Sequence, residues 1–177
     1  MKKFAMAAAT AALLLSVSTG ALAATGLGSV TSMSGSAATA DKAGSVTVNT
    51  TMCALELDDE GKIVSVSFDI AQNKIGFDAA GALTTDLAAE HPTKKELKEG
   101  YGMKGASSIG KEWYEQAEAL EAWCVGKTVA EVVGMPTYDK GDGHHTQVPD
   151  DVDLKSGCTM DVGSFLKAIQ AAANNAK

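Results

Sequence analysis

The chain contains no arginine. All 15 of its basic residues are lysine, against 22 acidic residues and a net charge of −7. An acidic, arginine-free surface excludes a nucleic-acid binder, which needs a basic stripe to neutralise phosphates. It also removes the side chain best suited to clamping a carboxylate or phosphate with two parallel hydrogen bonds. A phosphate held here must rest on backbone N–H groups, lysine, hydroxyls or a covalent bond. Aromatic residues are scarce at 5%, and alanine supplies much of the 45% hydrophobic content. The few large apolar side chains should therefore mark the centre of the core. Cysteine is limited to Cys53, Cys124 and Cys158. No Cys-x-x-Cys is present, which excludes a thioredoxin-type motif and covalent c-type haem. Walker loops, Gly-x-Ser-x-Gly elbows and His-Glu-x-x-His pairs are missing too.

What is present begins with an export signal. Met1-Lys2-Lys3 is a short positive segment, Phe4 to Val17 is apolar, and Ala21-Leu22-Ala23 has the small-x-small form of a cleavage site. Residues 1–23 read as a secretory signal peptide cut after about Ala23. Its apolar run is too short for a stable membrane anchor, and no later segment is apolar enough to span a bilayer. Cleavage would leave about 154 residues with a charge of about −9, placed in a secreted or extracytoplasmic compartment. Residues 24–45 are Gly, Ser, Ala and Thr with little else, and read as a flexible leader. Residues 46–177 then make one domain, which the length allows and two ordinary domains would exceed.

Within that domain Val46 and Val48 alternate with polar residues, and the run continues to Leu57. Asp58-Asp59-Glu60-Gly61 is a turn signal, and Val64, Val66, Phe68 and Ile70 alternate after it. The pattern predicts an antiparallel hairpin. A second, shorter hairpin is expected from 74–77 and 82–84. Thr93 should cap a short helix over 94–99. A longer helix over 110–125 carries Trp113, Ala117, Leu120 and Cys124 as its apolar stripe. Glu112, Glu115, Glu118 and Glu121 wind round it and read as a solvated face. Thr128 to Glu131 is a capping box opening another short helix. Residues 138–151 read as a loop. A last helix over 162–174 should turn Phe165 and Ile169 inward. The fold class is α+β: an antiparallel sheet from N-terminal hairpins, packed by the long helix and the C-terminal helix.

Asp153-Leu154-Lys155-Ser156-Gly157-Cys158-Thr159 is the stretch richest in chemistry. It sets a glycine, hydroxyls and a thiol just before a helix, whose N-terminus offers free N–H donors to an anion. An ordinary capping loop is the alternative. The pattern Asp-x-x-Ser-Gly-Cys-Thr, followed by an alanine-rich C-terminal helix, resembles the FMN-binding domain family of exported, flavinylated electron-transfer proteins. So do the Gly44–Leu57 strand and the Asp59-Glu60-Gly61-Lys62-Ile63 turn. The resemblance implies FMN joined through its phosphate to the hydroxyl of Thr159 by a flavin transferase that uses FAD. Asp153, Ser156 and Gly157 match the rest of the motif, and Cys158 stands where the family carries Ala or Ser. Thr93–Leu97, Tyr101–Lys104 and Gly110–Trp113 resemble a group of secreted Firmicutes proteins, which implies fold and no activity.

Tyr101 and Met103, flanked by glycines, are the further candidates for contact with a flavin. His144-His145 lies in an acidic loop but lacks good single-ion geometry, so no metal site is assigned. Three function classes follow. The first is an exported FMN-binding electron carrier, its FMN either joined covalently to Thr159 or held without a covalent bond, with unidentified redox partners. The second is a flavin-free secreted binding or structural protein of the same fold. The third is a thiol protein acting through Cys158, for which the sequence supplies no spaced histidine base.

Overall fold

The computed structural model describes residues 24–177, so the expected signal peptide lies outside the described residues. Three long antiparallel strands, β1 (Ala24–Ser36), β2 (Gly44–Leu57) and β3 (Ile63–Phe77), pair in the order β1-β2-β3. The helices α1 (Lys94–Leu97), α2 (Trp113–Cys124), α3 (Val129–Val133) and α4 (Gly163–Asn174) follow. A two-residue pair of strands, β4 (Thr137–Tyr138) and β5 (Val148–Pro149), pinches the loop before α4. The architecture is α+β, as the patterning indicates.

The flexible leader expected over 24–45 is not what the structure places there. Ala24–Ser36 is β1, paired along its whole length with β2. Its small residues have a packing reason. A Cβ added at Gly26 or Gly28 would collide with the Ala172 or Ala168 carbonyl of α4. Bare glycine lets the helix lie directly on the strand. Lys177 caps the start of the outer edge of β1 by exchanging hydrogen bonds with Thr25, each 3.1 Å.

The β2–β3 hairpin is the expected one. Asp58 Oδ1 accepts the Glu60 and Lys62 N–H groups at 2.9 and 2.8 Å, and Gly61 takes the left-handed φ of +74°. The outer edge of β3 is capped by other segments. The Phe68 N–H donates to Glu121 Oε1 at 2.6 Å, and Ile63 N–H to the Lys127 carbonyl at 2.8 Å. Such capping removes a template for edge-to-edge pairing. The second hairpin is reduced to the end of β3 and one bridge, Phe77 to Leu83.

The core lies between one face of the sheet and the helices. Leu55, Val66, Cys53 and Phe68 meet Trp113, Ala117, Leu120 and Cys124 of α2 and Phe165, Ile169 and Ala172 of α4. Phe68 and Phe165 stand with ring centroids 5.2 Å apart at 58°, and Trp113 lies 6.0 Å from Phe165. Each such side chain contributes about 1.5–3 kcal/mol through burial. Thr93 and Thr128 form the capping boxes of α1 and α3 with Glu96 and Glu131. Two of the four α2 glutamates are not solvated. Glu112 is buried and accepts the Met103 and Lys104 N–H groups, and Glu121 joins β3 to Lys95.

Candidate functional site

Two tight turns shape the 151–159 segment. Asp151 Oδ1 accepts the Asp153 N–H at 2.9 Å, and the Leu154 carbonyl accepts both Gly157 and Cys158 N–H at 2.8 Å. Leu154 and Cys158 plug the loop into the core. Gly157 is required by packing rather than by turning. Its φ is not positive, but a Cβ there would lie 2.9 Å from the Ala119 Cβ of α2. Asp153 and Ser156 are exposed.

Thr159 emerges from this loop half-buried. It lines a cleft of about 360 Å³ together with Tyr138, Val148, Pro149, Asp150 and Lys155. Its N–H donates to Gln116 Oε1 at 2.9 Å, and its hydroxyl lies 3.4 Å from the same oxygen. Its carbonyl accepts Lys140 Nζ at 2.9 Å. Lys155 pairs with Asp150 at 2.5 Å, which raises the lysine pKa. Lys140 thus bonds the Thr159 backbone, and Lys155 lines the same cleft already paired with Asp150.

The expected anion site at the start of α4 is filled by the protein itself. Asp161 Oδ1 accepts the Gly163 N–H at 3.0 Å, and its Oδ2 accepts the Thr146 and Gln147 N–H groups, each at 2.9 Å. A carboxylate at a helix N-terminus is stabilised by the same donors that would serve a phosphate. Asp161 thus already sets a carboxylate on the first N–H of α4, where an incoming phosphate would meet its charge.

Of the residues singled out in the sequence, Thr159 alone lines the cleft. Gly157 and Cys158 are buried behind it. Tyr101 and Met103 are not brought to it. Tyr101 lies under Lys94, whose Nζ is 4.7 Å from the ring centroid, and Met103 packs on the core with its N–H on Glu112. Tyr138 supplies the ring at the cleft instead. Gln116 was missed, although a signal exists: it is a polar residue on the apolar stripe of α2. Burial pushes the Cys158 thiol up to about 11, and Cys53 and Cys124 up to about 12. A covered, protonated thiol is a poor nucleophile, so the thiol class has no support. Asp142 collects the His144 and His145 N–H groups and the His145 ring at 2.6 Å. These bonds hold its carboxyl far below the usual range.

No family model matches the chain, and no solved structure matches it. A chlorophenol reductase from Desulfitobacterium hafniense is 38% identical over 96 residues, covering 48% of this chain and 29% of the reductase. The chain thus spans under a third of that relative's length. No helix among the described residues is long and apolar enough to cross a membrane.

The donor set at the cleft fits a phosphoester-linked FMN in chemical kind. Thr159, Lys155 and the Tyr138 ring line the cleft, and Lys140 bonds the Thr159 carbonyl. At the start of α4 the Gly163 N–H is already given to Asp161.

Proposed function

We propose that the protein is an exported redox protein that carries FMN through a phosphoester to Thr159. The observation that carries this reading is Thr159, which lines a cleft with Lys155 and Tyr138 while its carbonyl holds the Lys140 ammonium. The partial similarity to a protein named as a reductase supports the redox class. Bound FMN would supply one- and two-electron chemistry at its ring system. Thr159 would hold the phosphate covalently. Lys155, and Lys140 beside it, would offset the phosphate charge, the task that arginine performs elsewhere. Tyr138 is the ring available for stacking at the cleft.

Occupation of the α4 N-terminus by Asp161 favours a second reading, a flavin-free secreted binding protein of the same fold. Mass spectrometry separates the two. The full chain, exported alongside a flavin transferase, should gain the mass of an FMN phosphoester and yellow absorbance. Thr159→Ala should abolish both while leaving the thermal midpoint within about 2 °C, since a half-buried hydroxyl contributes little. An unmodified, colourless wild-type chain would sink the flavin reading.

A further inference from the structure

Gln116 is 1% exposed, on a helix face otherwise made of Trp113, Ala117, Leu120 and Cys124. Packing alone would be served by Leu or Met at this position. Instead the amide is fully used. Its Nε2 donates to Ser107 Oγ at 3.0 Å and to the Lys111 carbonyl at 3.2 Å. A carbonyl only accepts, so Nε2 must face Lys111 and Oε1 must face Thr159. Oε1 then receives the Thr159 N–H at 2.9 Å and stands 3.4 Å from its hydroxyl. The orientation of one buried amide is thus fixed on one side and read out on the other, across 43 residues of sequence.

We propose that Gln116 is a positioning residue that presents the Thr159 hydroxyl to an incoming flavin phosphate. This rests on the flavin reading given above. With its proton turned toward Oε1, the hydroxyl keeps its lone pairs free for an incoming phosphorus. In the transfer, Thr159 Oγ attacks the flavin-side phosphorus of FAD. A new P–O bond forms to Thr159, the bond from that phosphorus to the bridging oxygen breaks, and AMP leaves with that oxygen. The hydroxyl proton passes to solvent as the bond forms. Phosphoryl transfer proceeds through a loose transition state, so an aligned lone pair matters more than early loss of the proton. Gln116 touches neither FAD nor the reacting phosphorus; it acts through Thr159.

The test compares modification rates of the exported full chain, read by mass spectrometry with FAD and flavin transferase supplied. Gln116→Met keeps the volume and removes the acceptor, and its rate should fall by about tenfold or more. Gln116→Glu keeps an acceptor oxygen, and its rate should stay within about threefold of wild type. A packing role orders the two variants the other way, because a buried Met is tolerated and a buried carboxylate is not. Amide hydrogen exchange on the unmodified chain gives an independent readout. Thr159 should lose protection in Gln116→Met while Phe165 and Ile169 keep theirs.

If Gln116→Met does not fold, Ser107→Ala loosens the same amide from the other side and should slow modification by about threefold. A wild-type chain that never gains the FMN mass overturns the flavin reading and the positioning role together. A wild-type chain that gains it no faster than the folded Gln116→Met or, in its place, Ser107→Ala overturns the positioning role alone.

Discussion

One sheet carries two unlike halves. In the half nearest the helices, successive rows across the strands read Gly26–Leu55–Val66 and Gly28–Cys53–Phe68 on the covered face. In the far half the same face reads Ser32–Asn49–Gln72 and Ser34–Thr47–Lys74. There the apolar residues move to the opposite face, as Met33–Val48 and Val46–Ile75. Pairing of β2 with β1 continues without a register shift between the halves. Since side chains alternate strictly along a strand, the sequence itself changes phase. The helices covering the old face, α2 and α4, pack on the near half. Stability should therefore be concentrated in one half, while the other tolerates change.

Phe68→Ala should show the largest effect. Phe68 is fully buried and stacks on Phe165 at the middle of the near half. Its loss should cost about 3–5 kcal/mol, a fall in Tm on the order of 10 °C. Thermal unfolding followed by circular dichroism reads it directly. A shift below a few degrees would mean that the near half is not where stability resides.

Gly28→Ala comes next and probes the seam between β1 and α4 by addition rather than removal. The new Cβ would meet backbone atoms of Ala168, Ala171 and Ala172, which cannot rotate away. Overpacking of this kind costs about 1–3 kcal/mol, read as a lowered midpoint in urea. A neutral result would show that α4 can lift off β1, and that the glycines are not required by the helix.

The seam also marks the limit of what the sequence reveals. The β2–β3 turn, the capping boxes at Thr93 and Thr128 and the inward stripe of α4 are local patterns, and each was legible. β1 was not, because its signal is a shortage of side chains. Gly26 and Gly28 make sense only once α4, far along the chain, is seen lying on them. The site divides in the same way. Thr159 stood out from its neighbours in sequence, but its cleft, Lys140 and Gln116 come from segments brought together by the fold. Tyr101 and Met103 were attractive on local grounds, yet their loop is anchored to Glu112 on the N-terminal side of α2.

The smallest expected effect belongs to the far half. Met33 is 75% exposed on the face that no helix among the described residues covers. Met33→Ser removes apolar surface that is already in water, so the midpoint should move by no more than about 0.5 kcal/mol. Met33 is expected to stay in water despite its row neighbour Val48. The measurement is urea unfolding at two protein concentrations well apart. A loss approaching that of Phe68→Ala, growing with protein concentration, would mean that the far face is covered in solution. The phase change along β2 would then place a second buried face on the sheet, and the contrast between its halves would become one between two cores.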